Sequence, residues 1–250
     1  MLINDILDFF FPRYCMLCGE RLSTQENHVC LPCYMHLPRT MFHSLVHSPV
    51  EKLFWGLIKI EKATSFIYYK DNNKEILLQL KYKNNPDVGI YMASQYAKEI
   101  KDSGFFDDID VIVPVPLHWM RRLKRGYNQS EYVAKGISSE TRIPVCLKAV
   151  KRIINNKSQT RMLRNYRRDN VEGIFRLVHP ELLADKHVLI IDDVTTTGST
   201  ICACAKEILK APNARVSVLT ISFAGQTPIP SSDGVAVPTT SVNEDSLSKL

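Results

Sequence analysis

Val188-Leu189-Ile190-Ile191-Asp192-Asp193-Val194-Thr195-Thr196-Thr197-Gly198-Ser199-Thr200 carries more of the architecture than any other stretch of this chain. Its apolar start is short, β-branched and without polar alternation, the pattern of a strand covered on both faces in a parallel sheet. From Ile201 to Leu209 the period changes, and Ile201, Ala205, Ile208 and Leu209 share one helical face. The turn between them joins the carboxyl end of a strand to the amino end of a helix, where open α/β sheets bind ligands. Free backbone N–H groups and the positive end of the helix dipole converge there. Thr196, Thr197, Ser199 and Thr200 add hydroxyl donors, and Gly198 permits close backbone approach. That chemistry suits a phosphate monoester. Asp192 and Asp193 would repel the same phosphate, so they are expected to face something else, such as the vicinal hydroxyls of a ribose with Mg²⁺ screening their charge. The competing reading is that the two acids only end a strand and cap a helix.

The rest of the chain allows this reading without demanding it. It has 250 residues, 45% of them hydrophobic, enough for one sizeable core and a smaller module. The formal net charge of +6 is a modest basic excess that suits anionic ligands. No apolar run reaches the roughly 18 residues of a membrane span. Met1 to Phe11 contains Asp5 and Asp8 and lacks a basic start, which makes a poor secretory signal. A cytoplasmic location follows as the default expectation.

Four of the seven cysteines fall as Cys15-x-x-Cys18 and Cys30-x-x-Cys33. Two thiolates two residues apart converge from one turn on a tetrahedral ion, and Gly19 allows the tight knuckle. Two such turns complete a closed Cys₄ site, so a bound Zn²⁺ is expected to be structural. A disulfide pair or a redox dithiol is the alternative. His28 and His36 lie near enough to be substitute ligands. Cys146, Cys202 and Cys204 sit in apolar patterns and read as packing residues.

Along the chain, the cysteine module is expected to end near His47. Strand character follows over Ile60–Tyr69, then helices over Lys74–Lys83 and Asp87–Lys101. Lys81, Tyr82 and Lys83 make a basic-aromatic edge. A solvated helix end is favoured there over a phosphate contact. Asp110 to Pro116 reads as a second buried strand, stopped by prolines. His118, Arg121, Arg122, Lys124 and Arg125 then crowd a turn before a helix running from Gly126-Tyr127-Asn128-Gln129 towards Ile137. A basic loop there faces the same crevice as the double aspartate and suits a pyrophosphate; a charged surface loop is the plainer alternative. Strand patterns over Val145–Ile154 and Val171–Val178 flank a basic insertion, Asn155 to Asn170, able to cover the crevice, grip a nucleic-acid backbone or stay solvated. Ala214 to Phe223 reads as the last strand. From Gly225 onward Pro, Ser and Thr dominate, and a disordered or loosely attached tail is expected over 225–250.

The stretch from Val188 to Thr200 resembles the diphosphosugar-binding signature of the type I phosphoribosyltransferases, which use phosphoribosyl pyrophosphate (PRPP). The resemblance implies an α/β fold, a parallel sheet flanked by helices. It implies Asp192 and Asp193 on the ribose, Thr196, Thr197, Gly198, Ser199 and Thr200 around the 5′-phosphate, and Mg²⁺ on the pyrophosphate; Thr195 joins the PRPP-binding residues, and the basic loop puts Arg121 and Arg125 at the pyrophosphate. Asp192, Asp193 and Arg125 would then be the catalytic set. Thr196 stands where several nucleobase-using members carry a carboxylate that assists proton transfer, a role threonine cannot take near neutral pH.

Together with the Cys₄ knuckle, Pro114-Val115-Pro116-Leu117, Arg125-Gly126-Tyr127-Asn128-Gln129 and the stretch from Gln159 to Asn170, that signature resembles the ComF family over most of 15–222. The implied organisation is a zinc module at 1–47, a phosphoribosyltransferase-like domain at 48–224 and the tail. The implied setting is cytoplasmic handling of incoming single-stranded DNA, beside a helicase and recombination proteins. No residue identifies an acceptor. A non-catalytic accessory that binds single-stranded DNA on the same fold is the alternative.

Overall fold

The computed structural model describes residues 11–70, 73–154 and 173–225. The insertion expected at 155–170 and the tail after Gly225 lie outside the described residues. Four parallel strands form the central sheet in the order β1-β6-β5-β2. They are β1 (Ala63–Tyr68), β2 (Val111–Pro114), β5 (His187–Thr195) and β6 (Arg215–Phe223). A separate antiparallel pair, β3 (Val150–Arg152) and β4 (Phe175–Leu177), stands where the two flanking strand patterns were expected.

The helices are α1 (Leu31–Met35), α2 (Pro49–Lys52), α3 (Lys74–Tyr82), α4 (Asp87–Ile100), α5 (Trp119–Arg125), α6 (Gln129–Thr141) and α7 (Ser199–Ile208). One expectation needs correction here. The basic segment after β2 is a helix, α5, and not a turn; the His118 ring accepts the Met120 N–H at its start, and Gly126 ends it in a left-handed conformation at φ 86°.

Strand alternation sorts the central residues onto two faces. Leu189 and Ile191 pack with Ile112, Leu219 and Ile221 under α3, α4 and α6. Val188 and Ile190 pack with Val111, Val113 and Val218 under α7, with α2 and the β3-β4 pair on the same side. Helices α4 and α6 cross so closely that a methyl at Gly136 would meet the Ile90 carbonyl oxygen and come within 2.8 Å of Ala93 Cβ. That contact fixes where α6 begins, and its first turn faces the end of β5.

The cysteine segment packs against the same sheet. Cys15, Leu22, Val29, Cys30 and Leu37 join the core around Phe66, Ile67 and Tyr96. Glu99 on α4 accepts from the Tyr34 hydroxyl and from Arg39, whose Nη2 lies 2.7 Å away and Nε 2.9 Å. Arg39 also makes an antiparallel bridge to Ile67 on the outer side of β1, and Thr40 N donates to Phe66 O at 3.0 Å. Among the described residues no helix is long and apolar enough to cross a membrane.

Candidate functional site

All four sheet strands point their carboxyl ends the same way, so β5 delivers Asp192 to Thr195 to the edge where β2 and β6 also end. Gly198 takes φ 73°, and a Cβ there would lie 3.0 Å from the Phe54 ring. Both constraints restrict the position to glycine. α7 starts at the next residue, and no side chain caps it. Its first N–H groups are therefore left for another acceptor. Thr196, Thr197 and Thr200 are exposed and Ser199 is half-buried around that helix start. Thr197 and Ser199 share a hydroxyl contact at 2.8 Å. Thr195 differs from expectation. Its hydroxyl is buried and donates to Thr220 Oγ1 at 3.2 Å, because the last strand residue turns its side chain onto the sheet instead of towards the turn.

The two aspartates are turned inward, where the sequence suggested an open grip. Asp192 is 9% exposed and Asp193 3%. Asp193 continues the face of Leu189 and Ile191 towards α3, and its Oδ2 lies 3.2 Å from Lys81 Nζ. The ammonium is near enough to pair but not aligned as a hydrogen-bond donor, and that buried oxygen has no hydrogen-bond partner. Asp192 Oδ1 accepts from Ser130 Oγ and from the backbone N–H of Asp193, both at 2.9 Å. Burial, reinforced by the neighbouring Asp193 charge, pushes the Asp192 carboxyl up to about 7; the Ser130 and Asp193 donors and Lys81 pull the other way.

Ser130 is held in turn. Asn128 caps α6 by accepting the Ser130 N–H at 3.3 Å and donates its amide to Val115 O at 3.1 Å. Tyr127 donates to the carbonyl of Leu80 at 2.6 Å, which ties α6 to the last turn of α3. Lys81 therefore belongs to the site, correcting the solvated reading of that helix end.

A cationic group adjoins the acids. Burial and the nearby Arg125 charge lower the proton affinity of the Arg121 guanidinium, and burial and Arg121 do the same at Arg152 on β3. Arg125 donates to Gln129 and lies 5.5 Å from the Tyr82 ring centroid. Arg122 points elsewhere, bound through Nη1 at 2.6 Å to Glu131. Like charges held together in partly dry surroundings favour an anion between them. Arg152 entered the sequence reading only as one member of a long basic segment.

The four cysteine sulfurs lie within 4.8 Å of one another, with Cys18 and Cys30 at 3.6 Å. Thiolates about 2.3 Å from a tetrahedral ion sit about 3.8 Å apart, so the cluster can hold a metal ion. Burial raises the Cys15 thiol, but the N–H groups of Cys30, Cys18 and Leu17 outweigh it and hold the group at about 7. Burial keeps Cys30 and Cys33 high. Cys202 and Cys204 are buried core residues, as expected.

The geometry defines a parallel α/β protein with an uncapped, hydroxyl-lined helix start at the carboxyl edge of its sheet. A family model described as the phosphoribosyl transferase domain matches residues 86–244, and the chain belongs to that family and, within it, to the ComF group. It is 25% identical over 214 residues to competence protein F of Haemophilus influenzae, covering 80% of this chain and 93% of that one. Identity is 27% over 207 residues to DNA utilization protein YhgH of Escherichia coli K12, covering 82% and 87%. It is 24% over 215 residues to competence protein ComFC of Bacillus subtilis, covering 84% and 83%.

Proposed function

We propose that the chain binds PRPP at the carboxyl edge of the sheet and serves DNA uptake in the cytoplasm. The observation that carries this reading is the uncapped start of α7, with Thr196, Thr197, Ser199 and Thr200 around it, next to the buried Asp192–Asp193 pair. The 5′-phosphate takes the free N–H groups of that turn, Gly198 included. Asp192 and Asp193 accept from the ribose hydroxyls; Asp193 Oδ2, enclosed beside Lys81, accepts no other hydrogen bond. Arg121, Arg125 and Arg152 take the pyrophosphate. Mg²⁺, when bound with PRPP, supplies further charge neutralisation there, and the oxygen donors lining the turn suit a hard divalent ion.

As an acceptor nucleophile bonds to ribose carbon 1 from the opposite face and the bonding pair leaves with pyrophosphate, the arginines stabilise charge on the departing group and the aspartates offset positive charge on the ring. Thr196 offers no base for a nucleobase acceptor. The four sulfurs of Cys15, Cys18, Cys30 and Cys33 would hold Zn²⁺ as a closed, structural site. The relatives named for competence and DNA utilization support a role in handling DNA; a place beside a helicase and recombination proteins is what the ComF resemblance adds.

Titration calorimetry with PRPP and Mg²⁺ tests the reading. Saturable binding that disappears in the Asp192→Asn, Asp193→Asn double variant supports it. No heat of binding, beside a control phosphoribosyltransferase that binds normally, rejects it.

A second reading has its own observation. Trp119 and Tyr82 are 65% and 54% exposed close to the basic residues of α5, a combination that suits stacking and phosphate contact with a single strand. A purely DNA-binding accessory keeps its affinity for single strands when both aspartates are changed and shows no heat with PRPP.

A further inference from the structure

Lys81 has no role in the signature that identifies the fold, and it lies upstream of the matched residues 86–244. Yet its ammonium is 3.2 Å from Asp193 Oδ2, with the two side chains 12% and 4% exposed. A buried ion pair is retained only where its geometry offsets the desolvation of both charges. Here the charge is supplied without an aligned hydrogen bond, so the hydrogen-bonding capacity of Asp193 Oδ2 is unused, while the oxygen itself is enclosed and a ribose hydroxyl reaches it only when the side chains around it give way.

The backbone of Lys81 is fixed as well. The Leu80 carbonyl, in the last turn of α3 where helical carbonyls lose their partners, is taken by Tyr127 at 2.6 Å. Tyr127 leads directly into Asn128 and Ser130, and Ser130 holds Asp192. The interactions form a ring: Asp193 to Lys81, Leu80 to Tyr127, Asn128 to Ser130, and Ser130 to Asp192. The other charged or titratable groups facing the pair, Arg152 and Cys204, act on Asp192. Among the described residues, Lys81 is the cation paired with Asp193.

We propose that Lys81 is a positioning residue for sugar recognition: it holds Asp193 in the orientation that accepts a ribose hydroxyl, so that a helix outside the matched domain completes the sugar site. The inference rests on the PRPP reading above. A merely structural counter-ion would steady the fold without distinguishing sugar from phosphate, whereas a positioning residue affects the sugar alone.

The test titrates the full chain and its Lys81→Met and Lys81→Arg variants with PRPP plus Mg²⁺ and, separately, with inorganic phosphate. Thermal unfolding checks that each is folded, and Lys81→Gln replaces the methionine variant if that one does not fold. The expected result is a loss of PRPP affinity of about ten- to a hundredfold in Lys81→Met, the scale of one charge-assisted hydrogen bond. Phosphate affinity should stay unchanged, and Lys81→Arg should recover most of the loss. Asp193→Asn and the double variant close the cycle, with the double variant no weaker than Asp193→Asn alone.

Equal PRPP affinity in Lys81→Met and the parent overturns the inference, as do parallel losses of PRPP and phosphate or additive losses in the cycle. In each of these cases the parent still binds PRPP. A parent that does not bind PRPP overturns the functional reading itself, and the inference falls with it.

Discussion

Replacing Asp192 with asparagine should make the protein more stable at alkaline pH while abolishing sugar binding. Asp192 is buried beside a second carboxylate, and burial first, then the Asp193 charge, push its carboxyl up to about 7. In an unfolded chain the group titrates near 3.9. Between those values the native state binds more protons than the unfolded state. Stability is therefore greatest below about pH 4, falls as pH rises through the window, and levels off above about pH 7. Three units correspond to about 4 kcal/mol at pH 8, of which less than half has developed at pH 5.

Asparagine keeps a carbonyl oxygen for the Ser130 hydroxyl and the Asp193 N–H, the two donors at 2.9 Å, but it cannot ionise. Any misfit of its NH₂ group is the same at both pH values and cancels in the comparison. The stability difference between variant and parent should thus shift in favour of the variant by roughly 2–3 kcal/mol from pH 5 to pH 8. At about 2–4 °C per kcal/mol for a chain of this size, that is about 5–10 °C in Tm. Urea denaturation of both proteins at the two pH values measures it. A difference that does not change with pH would falsify the argument that Asp192 bears the burial cost.

Three further outcomes are expected. Gly198→Ala meets a φ of 73° and the Phe54 ring at 3.0 Å, so it should cost about 1–2 kcal/mol in denaturation and weaken inorganic phosphate binding in titration. Cys33→Ala removes one of four converging sulfurs; metal analysis should show less than one equivalent of zinc, and Tm should drop by several degrees. Arg121→Gln and Arg152→Gln should each weaken PRPP binding by about tenfold and flatten its dependence on salt, while leaving phosphate at the α7 start unaffected, as read by calorimetry at two ionic strengths.

The sheet was legible because its strands announce themselves locally. Val188 to Ile191 and Val111 to Val113 are apolar runs with abrupt ends, and the Gly198 turn combines strand, hydroxyls and helix in one contiguous stretch. The cysteine cluster was legible for the same reason, since its ligand spacing is a sequence property. What escaped depends on distant pairing. Lys81 sits beside a helical stripe of Ile76, Leu77 and Leu80, and nothing near it in the chain indicates that its neighbour will be Asp193. Ser130 reads as an ordinary first-turn serine until α6 is packed on α4. The inward rotation of the aspartates follows from strand alternation continued past Ile191, a rule that could have been applied to the sequence. So could the helical nature of Trp119–Arg125, since Gly126 marks a helix end as readily as a turn.

The Arg39–Ile67 bridge, with Thr40 donating to Phe66, also bears on the solution behaviour of the chain. Strand β1 is the outer member of the sheet, and its free backbone groups would otherwise be a template on which a second molecule could add a strand. The segment after the cysteines occupies that margin, while Pro144 and Cys146 do the same for β2 through Ile112. With both margins taken, growth of the sheet from one molecule to the next is blocked. Deleting the residues up to Thr40 should therefore leave a protein that clumps through β1 before it loses its phosphate turn.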